Sequence, residues 1–194
     1  MEYCLLGNTG YNVSRIGFGA LTLSPLCANL SVDAASKLIN QAFDQGINFI
    51  DTAQHYRNYH HIAKAIYGKG ESIIIASRSF ADSYEEMSYA LEEARVGLSR
   101  NKLEIFMLHE IRDIEDFLSR KEAWQCLLDA KANGIVGAIG ISTHSADFAA
   151  YAANHPQIDV MQAMINIKGI GILDGDRSAM QDALALAHQN GKGV

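Results

Sequence analysis

Short apolar runs alternate with segments of helical periodicity along the chain, and this alternation limits its fold more than any other feature. The runs are rich in Ile, Val and Phe. There are six of them: RIGFGAL, INFIDTA, SIIIASR, KLEIFMLHE, VGAIGIST and IDVMQAMIN. Such near-continuous apolar runs are typical of parallel strands that are covered on both faces. Strands that alternate in this way with helices indicate a parallel α/β fold.

The intervening segments carry helix signals, and a hairpin precedes the first strand. Apolar stripes at helical spacing predict one helix each in residues 31–46, 82–100, 115–134 and 177–193. Ser31 or Asp33 can cap the first helix, and Ser83 with Glu86 forms a capping box at the second. Near the N-terminus, two short runs around Gly-Asn-Thr-Gly predict a β-hairpin. No linker, low-complexity tract or charge block divides the chain, so we expect residues 1–194 to form one domain.

Two parallel folds fit this pattern, a doubly wound open sheet and a (β/α)8 TIM barrel. A dinucleotide-binding open sheet needs G-x-G-x-x-G after its first strand, and here Gly17 and Gly19 have no third glycine. The barrel is therefore favoured, although barrels usually need about 250 residues. The chain has 194 residues and ends where a seventh strand would begin. We expect an incomplete barrel of about six strands: a fragment of a longer chain, a truncated gene product, or a piece completed by another chain.

Composition and charge exclude several classes of partner. The net charge is -6 without any Lys/Arg-rich run, which argues against nucleic acid. The three cysteines, Cys4, Cys27 and Cys126, are widely spaced and form no CxxC pair, so we expect a reducing compartment and neither a disulfide framework nor a zinc site. The N-terminal residues lack the apolar segment of a signal peptide, and no apolar stretch approaches the ~18 residues of a membrane helix. We therefore expect a cytoplasmic protein with no nucleic-acid or membrane partner.

Polar side chains with acid–base or hydrogen-bonding capacity close the predicted strands. In chain order they are Asp51, Arg78, His109, Glu110, Ser142, Thr143, His144, Gln162 and Asn166. Tyr56 lies in the loop that follows Asp51. In a parallel barrel the carboxyl ends of the strands meet at one rim, where active sites lie. We therefore expect these side chains to face one another.

Four of these residues suggest a definite chemistry. A tyrosine becomes a versatile acid at neutral pH only where a nearby cation lowers its pKa from about 10. Arg78 can supply that cation, and Asp51 can hold it by paired hydrogen bonds. A neutral His109 can donate a hydrogen bond to a carbonyl oxygen and orient it. Such a site polarises and protonates a carbonyl oxygen, and a hydride donor is the missing partner.

Structural roles remain open for each residue when it is considered alone. Asp51 can cap a helix, Tyr56 can pack, Arg78 can form a structural ion pair, and His109 can be a satisfied histidine at a strand end. His60 and His61 lie at the start of a predicted helix, but no third ligand at a suitable spacing supports a metal site there.

Several separated motifs agree in order and spacing with one known family. GNTGYNVSRIGFGALT, GINFIDTAQHY, LEIFMLHE and VGAIGIST resemble the aldo-keto reductases, which are NAD(P)H-dependent enzymes on a (β/α)8 barrel. The resemblance covers essentially the whole chain. It implies the reduction of an aldehyde or ketone, a small-molecule carbonyl, to an alcohol, with Tyr56 as general acid.

The resemblance also implies roles for individual residues. Asp51, Tyr56 and His109 match three members of the catalytic tetrad, and Arg78 stands where the family has lysine. The cofactor, NADP or NAD, would be bound by Ser142, Thr143, Gln162 and Asp51, with Asn166 at the substrate rim. Arginine keeps the positive charge but spreads it over a larger head, so we expect reduced or altered activity.

A finer resemblance concerns the loop LTLSPLCANL, the HI pair after the tyrosine, and GIGILDG. These segments are similar to a subgroup whose longer members carry a C-terminal ferredoxin-like segment, so an iron–sulfur cluster is expected only with a longer C-terminal part. The family's last two strands and its phosphate-binding loop have no counterpart here, and open barrel edges favour self-association. A non-catalytic nucleotide-binding or regulatory pseudo-reductase, an inactive fragment, and an electron-transfer partner are the alternatives.

Overall fold

An antiparallel hairpin opens the chain in the computed structural model, which describes residues 1–69 and 72–194. Strand β1 (Tyr3–Leu5) pairs with β2 (Asn12–Ser14), and Cys4 lies opposite Val13. The predicted hairpin is therefore confirmed.

Six parallel strands follow and form a curled half-barrel in sequence order. They are β3 (Phe18–Gly19), β4 (Phe49–Asp51), β5 (Ile74–Ser79), β6 (Leu103–Ile111), β7 (Val136–Thr143) and β8 (Val160–Ala163). All six predicted runs are strands, so the expected six-stranded barrel type is confirmed. Beyond β8, Gly193 adds a single parallel bridge to Val160, and the amide of Met161 donates to the carbonyl of Gly193 at 2.8 Å.

Seven α-helices lie between and beyond these strands in the described part of the chain. They are α1 (Val32–Asp44), α2 (Tyr59–Ile66), α3 (Tyr84–Leu98), α4 (Ile114–Ser119), α5 (Lys121–Ala132), α6 (Ala146–Asn154) and α7 (Arg177–Gln189). Ser31 caps α1, since its side chain accepts from the amide of Ala34. Ser83 caps α3 by accepting from the amide of Glu86. No helix within residues 1–69 and 72–194 is long and apolar enough to cross a membrane.

One helix prediction is wrong, because residues 115–134 form two helices that meet at Arg120. Arg120 is 9% exposed, and its side chain turns inward, where Asp116 and the carbonyl of His109 bind it. This long-range contact lies at the point where α4 ends and α5 begins. Helix α6, which was not predicted, is rich in alanine and buries one face, with Ser145 as its N-cap.

The core has two layers that follow the alternation of side chains along each strand. On β6, Phe106 and Leu108 point outward into the layer under the helices, whereas Ile105 and Met107 point inward. The inner layer is smaller and contains Val13 from the hairpin. The hairpin therefore packs against the inside of the half-barrel, and the opposite, carboxyl end of the strands remains available for a site.

A close approach between β7 and β8 gives a test of the fold. A Cβ atom at Gly140 would overlap the backbone carbonyl of Val160, whereas one at Gly19 in β3 would meet open space. We expect Gly140→Ala to lower the free energy of unfolding by about 3 kcal/mol, because the clash is with backbone. The matched Gly19→Ala should change it by less than about 1 kcal/mol. Urea unfolding of both variants checks this, and equal stabilities would contradict the β7–β8 packing.

Candidate active site

Arg78 lies at the centre of the polar residues that close the strands. It is in β5, it is 5% exposed, and its guanidinium forms hydrogen bonds with three side chains. Both its terminal nitrogens pair with the carboxylate of Asp51, with Nη2 at 3.2 Å from Oδ2. Nη1 also donates to Oε1 of Gln162 at 2.8 Å, and Nη2 donates to the hydroxyl of Tyr56 at 2.8 Å. One cation thus joins residues from β4, β5, β8 and the loop after β4.

Arg78 stays protonated in spite of its burial. Burial lowers the pKa of Arg78, but the hydrogen bonds and negative charge of Asp51, together with Tyr56, outweigh this and raise it. The guanidinium also lies 5.5 Å from the centre of the Tyr56 ring. Position 78 therefore carries a permanent cation that is bound by a carboxylate and donates to a phenol.

Tyr56 is oriented so that its proton is free for a bound molecule. It ends a short 3₁₀ turn (Gln54–Tyr56) after β4 and is 7% exposed. Because its oxygen accepts from Arg78, the hydroxyl proton must point elsewhere. Within the described chain no acceptor takes that proton. Tyr56 can therefore donate to a carbonyl oxygen at the rim.

A β-bulge turns His109 toward Tyr56. The pairing of β6 with β7 shifts between Leu108 and Ile111, and Glu110 in this bulge has a φ of 54°. The amide of Glu110 donates to the hydroxyl of Ser142 at 2.8 Å, which fixes the bulge to β7. Bulges near active sites re-aim side chains, and here the His109 ring lies 6.1 Å from the Tyr56 ring, edge to face.

A buried ion pair anchors the same bulge from the helix side. Arg120 donates to the carbonyl of His109 at 2.9 Å, and it forms two bonds with Asp116 at 3.0 and 3.2 Å. Phe80 stacks on the His109 ring with centroids 4.1 Å apart. The backbone and the ring of His109 are thus both held in place.

His109 is neutral over the whole physiological range. Burial lowers its pKa to about 3, and the positive charge of Arg78 contributes to the shift. Its Nδ1 is buried without a partner within residues 1–69 and 72–194. A neutral imidazole has one N–H to donate, as a residue that orients a carbonyl oxygen requires.

The predicted cofactor residues Ser142 and Gln162 can each form a further hydrogen bond, whereas Thr143 cannot. Ser142 accepts from the amide of Glu110, and Gln162 accepts from Arg78 through its side-chain oxygen. In the described part of the chain, the hydroxyl proton of Ser142 and the amide nitrogen of Gln162 have no partner. Thr143 is instead 1% exposed, donates to the carbonyl of Ile111 and accepts from a backbone amide. Its hydroxyl is therefore committed to the backbone.

The side chain of Asn166 likewise forms its hydrogen bonds within its own loop. Its side chain donates to the carbonyl of Ile170 at 2.7 Å and accepts from the amides of Lys168 and Ile170 at 3.1 Å. It shapes the loop after β8, and its role at a substrate rim stays a prediction. His144 similarly contacts the carbonyl of Gly171 at 3.1 Å.

The histidine pair at the start of α2 does not belong to this site. His61 contacts the carbonyl of Leu30 at 3.0 Å, and its ring lies 4.2 Å from that of His60. No group of three or more His, Cys, Asp or Glu side chains that could hold a metal ion occurs within residues 1–69 and 72–194.

The sequence did not predict a role at this site for Phe80, Asp116 and Arg120. An aromatic residue two positions after Arg78 gave a weak signal, since it continues the strand toward the rim. The i,i+4 spacing of Asp116 and Arg120 is a common helix pair, and only the tertiary contact with His109 gives it a role at the site.

The pKa of His109 leads to a test by pH. Its pKa in the folded chain is about 3, against 6.5 for an unperturbed histidine, so between these values the unfolded chain binds the extra proton. Stability should rise with pH across this range by roughly 1.4 kcal/mol per pH unit from this residue, and level off above about pH 6.5. Urea unfolding of wild type and His109→Gln at several pH values measures the difference. A difference that does not change with pH would contradict the assignment.

Comparisons with known proteins identify the family of the chain. A family model described as the aldo/keto reductase family matches residues 15–194. L-galactose dehydrogenase of Arabidopsis thaliana is 26% identical over 210 residues, which cover 100% of this chain and 64% of that protein. The chain thus spans somewhat less than two thirds of the length of this curated relative.

Solved structures show the same fold. An aldo-keto reductase of Bacillus halodurans in its holo form superposes with a TM-score of 0.82 at 21% identity, covering 99% of this chain and 64% of that one. An aldo-keto reductase of Bombyx mori in complex with NADP gives a TM-score of 0.74 at 18% identity, covering 97% and 64%. Since the family model spans nearly all of the sequence, the chain belongs to the aldo/keto reductase family.

Proposed function

We propose that the chain is the catalytic part of an NAD(P)H-dependent oxidoreductase that reduces an aldehyde or ketone to an alcohol. The observation that carries the proposal is the arrangement of Arg78: it pairs with Asp51, donates to Tyr56, and leaves the Tyr56 proton without an acceptor among residues 1–69 and 72–194. A phenol held by a buried cation is a proton donor whose conjugate base is stabilised as it forms.

The residues next to this donor fit a nicotinamide cofactor. A carboxamide presents both an acceptor and a donor. Gln162 lies against Arg78 and Ser142 pairs with it in register across β7 and β8, and within residues 1–69 and 72–194 each keeps a hydrogen-bonding group without a partner. Asp51 borders the same place. When bound, a reduced nicotinamide supplies a hydride for the carbonyl carbon. The NADP in the Bombyx mori relative favours NADP as the form to test first.

In the proposed mechanism each residue has one task. Tyr56 gives its proton to the carbonyl oxygen as the carbon is reduced. Arg78 stabilises the resulting phenolate, and Asp51 holds Arg78 in position. His109 donates its single N–H to the same carbonyl oxygen and so aligns the substrate between itself and Tyr56. Phe80, stacked on His109, forms an apolar wall beside that position.

The chemical identity of the substrate is also a proposal. Aldehydes and ketones are the expected class, and the name of the plant relative suggests including aldoses in the panel. The subgroup with an iron–sulfur segment stays a prediction.

Binding and turnover together test the proposed function. We expect NADPH or NADH fluorescence to change on titration with the chain, and NADPH to be consumed with at least one aldehyde of the panel. Tyr56→Phe should lower kcat by at least about 100-fold, because the proton donor is lost. The exposed Tyr89→Phe is the matched control and should leave kcat unchanged. No binding at millimolar cofactor would contradict the proposal, and binding without turnover would favour a non-catalytic nucleotide-binding protein.

The arginine at the lysine position gives a separate prediction. The guanidinium charge of Arg78 is shared among Asp51, Gln162 and Tyr56, whereas a lysine would concentrate its charge on one nitrogen. We therefore expect Arg78→Lys to raise kcat and Arg78→Met to abolish turnover. Arg15→Lys, at an exposed ion pair with Glu2, is the control. An unchanged rate in Arg78→Lys would mean that the identity of the cation is unimportant.

A further inference from the structure

Asn58 is a buried helix cap whose side chain does not cap. It precedes α2 and is 0% exposed, but its side chain forms no capping bond. Asparagine is among the preferred N-cap residues because its oxygen can accept from the first free amides of a helix. Here that stabilising bond is absent, so the side chain is used elsewhere.

The side chain of Asn58 instead joins the ends of two strands. Its Nδ2 donates to the carbonyl of Ala20, just beyond β3, at 2.8 Å. Its Oδ1 accepts from the hydroxyl of Thr52, just beyond β4, at 2.7 Å. Thr52 is also 0% exposed. Both bonds are therefore formed away from water, where an unpaired partner would be costly.

These bonds close the loop that carries Tyr56. Thr52 and Asn58 mark its two ends, so their side-chain bond ties the loop into a ring. On the opposite side, Gln54 accepts from the hydroxyl of Ser79 at 2.6 Å and donates to Glu93 at 2.7 Å. The position of Tyr56 is thus determined by contacts on both sides of its loop, and Asn58 supplies the contact with β3 and β4.

We propose that Asn58, acting through Thr52, is a positioning residue that holds the Tyr56 hydroxyl against Arg78. Its bonds fix the loop relative to the sheet that carries Arg78 and Asp51, and a displacement of about 1 Å at a reacting group can cost 100-fold in rate. The catalytic consequence rests on the proposed function, whereas the effect on the position of Tyr56 does not.

The test uses two variants and one matched control. Thr52→Val keeps the shape and removes one bond, and Asn58→Ala removes both. Asn48 is the control, because it also joins two strands: it accepts from the amide of Ser14 at 2.6 Å and donates to the carbonyl of Asn12 at 2.9 Å. Asn48 lies just before β4, at the opposite end of that strand from Tyr56. Asn48→Ala therefore removes an equivalent contact without touching the Tyr56 loop.

The position of Tyr56 is measured without reference to catalysis. The full chain is labelled with 3-fluorotyrosine at its eight tyrosines, and the Tyr56 signal is assigned with Tyr56→Phe. In ¹⁹F NMR we expect one narrow Tyr56 line in wild type and Asn48→Ala. The line should shift and broaden in Thr52→Val and Asn58→Ala while circular dichroism stays that of the folded chain. An unmoved line in folded Thr52→Val would overturn the proposal, even if Asn58→Ala does not fold.

Turnover adds a second, separable result. Where wild type reduces a carbonyl, kcat of Thr52→Val should fall by about tenfold or more, with KM for NADPH changed less than about twofold. A change in KM alone would overturn the positioning role. A chain without turnover, but with the expected NMR shifts, would overturn the proposed function and leave the positioning of Tyr56 standing.

Discussion

The guanidinium of Arg78 carries its charge at a place that water scarcely reaches, and the rest of the rim is arranged around that charge. A buried cation is tolerated only when paired and hydrogen-bonded. Asp51 provides the pairing, Gln162 takes a third bond, and Tyr56 accepts a fourth. These four hydrogen bonds compensate the burial of the Arg78 charge. One of them also fixes the orientation of the Tyr56 phenol, so the contacts that stabilise Arg78 also position the proton donor.

Parallel strands bring these residues together, and a second layer of contacts refines their positions. The sheet carries Asp51, Arg78 and Gln162 to one edge from three strands. The bulge on β6 and the buried Asp116–Arg120 pair then turn and hold His109. Catalysis tolerates only small displacements of the reacting groups, and contacts from surrounding residues such as these keep the reacting side chains within that limit.

Periodicity and strand-end polarity predicted the strands, the hairpin and which polar side chains meet around Arg78, because these depend on local pattern and on the geometry shared by all parallel barrels. The break at Arg120, the committed hydroxyl of Thr143 and the use of Asn166 within its own loop were not predictable in this way. Each depends on a partner distant in sequence or on backbone conformation. The bulge that contains Glu110 was hidden for the same reason, since no single residue type signals it.

In the proposed mechanism the Tyr56 proton and a nicotinamide hydride meet at one carbonyl. The most direct measurement follows deuterium from NADPH labelled at the transferred position into the alcohol product by mass spectrometry. The chain should place one deuterium on the former carbonyl carbon, and Tyr56→Phe should give little or no labelled product. An alcohol that forms without deuterium, or labelled product formed equally fast by Tyr56→Phe, would contradict the roles assigned to this rim.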